Sequence, residues 1–158
     1  MLQDLKRESE HADVIKELGR LYPNNTQVLH CMALKEFQAE NYEAALKKLD
    51  LALKSDPNKV QTLMLRMNVL KKMKKLDDAL AMADLILSIE EGHEVATLAK
   101  GAICVELQRH HTANLVYDKM IKQNPNHTEA LLGKANVAAL VGNYHIKSPE
   151  IFVMIMLY

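Results

Sequence analysis

The stretch "NYEAALKKLDLALKSDPN", residues 41–58, decides the fold. Its leucines and alanines recur at three- and four-residue intervals, the pattern of an amphipathic helix. Pro57 ends it, because proline has no amide to donate and disfavours helical geometry in the residue before it. Ala45 and Ala52 lie seven residues apart, two turns along one face. Small side chains at that spacing let a second backbone come close.

The same demand returns every 34 residues, at Ala79 and Ala113. Pro23, Pro57 and Pro125 share one register, with Glu91 in the remaining slot, and the turns read "PNN" at 23, "PNK" at 57, "EGH" at 91 and "PNH" at 125. A second turn column holds Asn41, Lys75, Arg109 and Asn143, followed by Tyr42, Leu76, His110 and Tyr144. A further small-residue column holds Ala33, Gly101 and Ala135, with Met67 as its exception. Each unit is therefore two helices of about fourteen residues, each about 20 Å long. Helix A is expected over 26–39, 60–73, 94–107 and 128–141, and helix B over 42–55, 76–89 and 110–123. Thr26 and Thr128 stand where an N-cap hydroxyl would satisfy the first free amides of helix A.

On these residues the chain resembles the tetratricopeptide repeat family, whose unit is a 34-residue helix–turn–helix. Ala33, Tyr42, Ala45, Ala52 and Pro57 carry the match in the first full unit. Gly101, Ala113, Tyr117 and Pro125 carry it in the third, and Ala135, Gly142 and Tyr144 in the last half unit. The second unit keeps the register through Leu76 and Ala79, while Met67, Ile86 and Glu91 depart from the pattern. The resemblance implies an all-α, right-handed α-solenoid of antiparallel helix pairs. The expected organisation is one repeat domain over 1–144, with a partial repeat at 1–25, full repeats at 26–59, 60–93 and 94–127, a half repeat at 128–144, and an apolar tail at 145–158.

Composition fits one helical domain of 158 residues, 49% apolar and 4% aromatic, with no tryptophan. Twenty basic residues balance twenty acidic ones, so no global field points to nucleic acid or membrane as a partner. The N-terminal "MLQDLKRESEHADVIK" has no apolar h-region, so the cytoplasm is the expected compartment, with the nucleus as the other. Cys31 and Cys104, far apart in such a chain, read as reduced, packed thiols. "NNT" at 24 and "NHT" at 126 match the glycan acceptor pattern, and without a secretory signal their threonines read as caps.

Both ends break the repeat. Residues 3–21 align with helix B, with Ile15 and Leu18 in the packing register and no helix A before them. At the other end Lys147 takes the small-residue slot, Pro149 follows, and the chain closes on "IFVMIMLY". That run is shorter than the roughly 20 apolar residues a membrane span needs. Two placements stand open to it: folding back over the last helix A, or lying exposed and promoting self-association.

In arrays of this kind function resides on the concave surface, lined by the A helices. Helical spacing places Gln27, His30, Leu34 and Gln38 there from the first unit, and Gln61, Met64, Asn68, Lys71 and Lys72 from the second. The third contributes Val95, Leu98, Ala102, Val105 and Glu106, and the last Glu129, Leu132, Asn136 and Ala139. The apolar third unit suits an extended segment or amphipathic helix with apolar anchors. Asn68 and Asn136 share a slot where an amide can both donate to and accept from a peptide backbone, and in the resembling family asparagine there commonly holds ligand main chain.

Chaperone-binding members of that family hold a terminal carboxylate in a clamp of lysine, asparagine and arginine. Here those slots hold His30, Leu34, Leu65, Gln61 and Ala99, or, one unit on, Met64, Asn68, Ala99, Val95 and Gly133. Only Asn68 fits, so no carboxylate clamp is expected. Lys71, Lys72, Lys74 and Lys75 complement a helix dipole; facing the groove, Lys71 and Lys72 would favour an acidic ligand. His110 and His111 are adjacent and point to different sides, so no metal is expected. No phosphate loop, nucleophile elbow or nucleic-acid module is present, and His30 with Glu36, the best acid–base pair, lies on different faces. No cofactor is expected. The expected function is a non-catalytic scaffold or adaptor that binds another protein, with an assembly subunit joined through open terminal helix faces and the tail as the alternative.

Overall fold

A computed structural model of the chain describes residues 13–142. Eight helical stretches follow one another, with no strand among the described residues. They are α1 over 13–21, α2 Thr26–Gln38, α3 Tyr42–Ser55, α4 Val60–Lys72, α5 Leu76–Ile89, α6 Glu94–Glu106, α7 His110–Gln123 and α8 Thr128–Val141. Each B helix spans the expected residues, and three of the four A helices stop one residue short of the expected end. The tail expected at 145–158 and residues 3–12 of the expected first helix lie outside the described residues.

The chain divides into two compact units, Met1–Met82 and Ala83–Tyr158, with the boundary inside α5. In the first, Ala33, Ala45, Leu49, Leu65 and Val69 form the core, flanked by Phe37, Tyr42, Leu46 and Met73. Ala45 and Ala52 are fully buried, and α3 packs against both α2 and α4, which is the close approach their small side chains permit. In the second, α7 packs against α6 and α8. The Tyr117 ring lies against Gly101 and Gly133, where an added Cβ would meet it at 2.6 Å and 2.4 Å.

The helix ends correct one expectation. Thr26 and Thr128 are the first helical residues, and the caps lie one position earlier. Asn25 Oδ1 accepts from the amides of Gln27 and Val28, and His127 Nδ1 accepts from Ala130 N at 3.4 Å. His93 caps α6 in the same way, through Ala96 N. Before α2, α6 and α8 the preceding residue carries the capping chemistry, while Lys59 before α4 makes no side-chain cap, and a threonine just inside α2 or α8 imitates the signal.

The turns from A to B share a second device. Glu40, Lys74, Gln108 and Gly142, each 34 residues from the next, all adopt positive φ, at 60°, 59°, 57° and 72°. At the first three the amide of the following residue returns to a carbonyl five residues back, as in Asn41 N to Glu36 O at 2.8 Å. This is the left-handed C-terminal cap that usually selects glycine.

An ion pair also recurs in register. Arg66 meets Asp50 at 3.0 Å in the first unit; in the second, Lys100 meets Asp84 at 2.6 Å and Lys134 meets Asp118. Each joins a helix B to the next helix A. Cys31 and Cys104 are both free thiols, and burial pushes the Cys104 pKa up.

Candidate protein-interaction face

In the first unit α2 lies beside α4. Gln27, Leu34, Gln38, Gln61, Asn68 and Lys72 are exposed, and His30, Met64 and Lys71 are half-buried. Two contacts tie the helices together along this face: Lys59 Nζ donates to Gln27 Oε1 at 3.1 Å, and His30 Nδ1 lies 3.4 Å from Thr62 Oγ1. Burial, and secondly the nearby Lys59 charge, hold the His30 imidazole below its ordinary pKa. The face is polar and carries positive charge at the end of α4. Glu36 is occupied elsewhere, accepting from Asn41 Nδ2 at 3.1 Å, so it forms no acid–base pair with His30.

The second unit has a different surface. Along α6 and α8, which also touch, Val95 is 57% exposed, Leu132 54% and Leu140 58%. Leu98, Ala102 and Val105 are half-buried between them in sequence register, while Glu106, Glu129, Asn136 and Ala139 are exposed. Three large apolar side chains each more than half open to water, on adjacent A helices, are what an interaction surface presents. The Asn136 side chain is exposed, as is Asn68 in the equivalent slot of the first unit.

A cleft of about 370 Å³ lies elsewhere in this unit, lined by residues that include Glu91, Glu94, Thr97, Lys100, Lys119, Met120 and His127. None of the residues read from the sequence as concave lines it. Its lysine charges are already matched, Lys100 by Asp84 and Lys119 by Glu91 at 3.7 Å, and Glu94 lies 2.9 Å from His127 Nε2. Little remains to recruit a ligand. Periodicity did not reveal this cleft, because its walls come from two successive B-to-A turns. Among the described residues, no three His, Cys, Asp or Glu side chains gather to hold a metal ion, and no helix is long and apolar enough to cross a membrane.

No protein-family model matches the chain, and no characterised protein matches its sequence. Solved structures do match. A tetratricopeptide repeat protein from Parabacteroides merdae superposes with a TM-score of 0.80 at 23% identity, over 90% of this chain and 56% of its own. The chain thus spans little more than half the length of that protein. The first repeat domain of Spaghetti (RPAP3), solved with the HSP90 peptide SRMEEVD, gives 0.68 at 20% identity, over 75% of this chain and 94% of its own. YrrB, a repeat protein with an unusual peptide-binding site, gives 0.67 at 19% identity, over 81% of this chain and 66% of its own. Register, helix pairing and these superpositions agree that the chain has the all-α fold of the tetratricopeptide repeat proteins.

Proposed function

We propose that the chain is a non-catalytic interaction module that takes an extended or helical segment of a partner protein on the faces of its A helices. The observation that carries this is the open apolar surface of the second unit, where Val95, Leu132 and Leu140 each expose more than half of their area. An isolated exposed leucine is ordinary, but several large apolar side chains exposed on two touching helices are a feature of interaction surfaces. Two of the solved neighbours, RPAP3 and YrrB, have peptide sites of their own, which supports a similar use here. The first unit has a polar face of its own, where the Asn68 amide would meet a peptide backbone and Lys71 and Lys72 would attract acidic side chains. Without the clamp residues, the segment bound would be internal rather than a free C-terminus.

Selection from a display library of random peptides tests this. Peptides recovered on the native chain should bind at least tenfold more weakly, a loss of about 1.4 kcal/mol, to a Val95→Asp, Leu132→Asp variant with unchanged helix content. Peptides indifferent to those changes and to Asn68→Ala, or a failure to recover any, would overturn the proposal.

A further inference from the structure

The apolar stripe of the second unit is edged by carboxylates. In α6, Glu94, Val95, Leu98, Ala102, Val105 and Glu106 fall within about 120° of arc at about 3.6 residues per turn. In α8, Glu129, Leu132, Asn136 and Ala139 fall within about 80° on the same reckoning. Leu98 and Leu132 stand 34 residues apart, in one slot of two touching helices, and Ala102 and Asn136 share the next. A different side of each helix packs on α7, where Gly101 and Gly133 meet the Tyr117 ring.

The charges of these helices are sorted by side. Lys100 and Lys134 are the only basic residues of α6 and α8. By helical rotation both lie opposite the stripe, and there Asp84 and Asp118 hold them. Glu94 and Glu129 lie 2.9 Å and 3.3 Å from the buried His127 ring, yet their side chains stay 68% and 69% exposed. Glu106 is exposed at the other end of α6. The stripe thus has an apolar floor and an acidic rim with no lysine or arginine on it. In the first unit the equivalent face carries Lys71 and Lys72 instead.

We infer that the segment taken by the second unit is basic, with apolar anchors for the floor around Leu98 and Leu132 and lysine or arginine on either side of them. This rests on the interaction reading proposed above and adds the chemistry of the partner. The floor supplies most of the affinity. The rim fixes which segments are admitted and how fast they arrive, because charges at an exposed edge act mainly on encounter and specificity. A segment with the same anchors and acidic flanks brings like charges together and is rejected.

Three display libraries test this on the full chain, sharing randomised apolar positions at helical spacing and differing only in flanks of Lys and Arg, of Asp and Glu, or of Ser and Gln. Binders should come from the basic library. They should bind about threefold or more weakly to a Glu94→Gln, Glu129→Gln variant of unchanged helix content, and more weakly to the native chain as salt rises from about 0.05 M to about 0.5 M. They should be lost on Val95→Asp, Leu132→Asp, whose added acids would strengthen a contact made by charge alone. Binders that are lost on those changes but come equally from all three libraries, or mainly from the acidic one, would overturn the inference and leave the interaction reading standing. Basic binders indifferent both to salt and to Glu94→Gln, Glu129→Gln would do the same. Binders indifferent to Val95→Asp, Leu132→Asp would overturn both, as would a native chain that yields none, whether it stays monomeric in light scattering or associates with a second copy through this face.

Discussion

Replacing Gly101 with alanine should destabilise the chain, although alanine is the better helix former. The new Cβ would stand 2.6 Å from both Cε1 and Cζ of Tyr117 and 2.9 Å from its hydroxyl. Carbon atoms settle at about 3.5–4.0 Å, so the ring must give way by about 1 Å. It has little room to do so, being 4% exposed and also in contact with Gly133 on α8. Overpacking of this kind costs about 1–3 kcal/mol, against about 1 kcal/mol gained from propensity and chain entropy. The net loss expected is about 1 kcal/mol, or roughly 2–4 °C in midpoint for a chain of this size. Urea unfolding followed by circular dichroism measures it, provided the denaturant slope is unchanged. Repeating the substitution in a Tyr117→Leu background isolates the cause: without the ring, Gly101→Ala should become neutral or stabilising. If Gly101→Ala has the same effect in both backgrounds, contact with Tyr117 is not what requires the glycine, and the argument fails.

Three further outcomes are expected. Asn25→Ala should lower stability by about 0.5–2 kcal/mol through loss of the α2 cap, while Thr26→Ala should change it far less; equal effects in denaturant melts would restore the threonine as the cap. Glu40→Gly and Gln108→Gly should each raise the thermal midpoint, since a left-handed conformation costs an ordinary residue about 1–2 kcal/mol and glycine's extra chain entropy offsets only part of the relief; a lowered midpoint would contradict the positive φ at these sites. Because burial depresses the His30 pKa in the folded state, the folded chain takes up a proton less readily than the unfolded chain. Its contribution is therefore intact above the ordinary value of 6.5 and falls away as the pH drops below it; melts from about pH 7 to about pH 5 should slope more steeply for the native chain than for His30→Gln.

The repeat and the limits of its helices were legible because alanine, glycine and proline act through backbone sterics, which leave a mark at fixed spacing whatever surrounds them. The left-handed turns were not, since Glu40, Lys74 and Gln108 stand where glycine would have announced them. The caps were misplaced by one residue because Asn25 and Thr26 are both good cap formers and only the backbone geometry chooses between them. The pairs Asp50–Arg66, Asp84–Lys100 and Asp118–Lys134 were hidden in plain charge balance: nothing in a single helix shows which lysine faces the next helix. Exposure of Val95 and Leu132 follows from their register, but the degree of it depends on what packs beside them. The match of Gly133 to Tyr117 depends on a ring sixteen residues away in another helix.

Each of the recurring ion pairs joins residues sixteen positions apart in the chain, and among the described residues the main helix contacts within each unit join an element to its next neighbour or the one after. Contacts this local close only short loops, so little chain entropy is lost before a contact forms. The described residues should fold on the fast side for their length, in microseconds to milliseconds, with no long-range strand pairing among them to wait for. Order could begin at either unit and spread helix by helix. A damaged turn would then slow its immediate neighbours and leave the rest of the chain free to form on time.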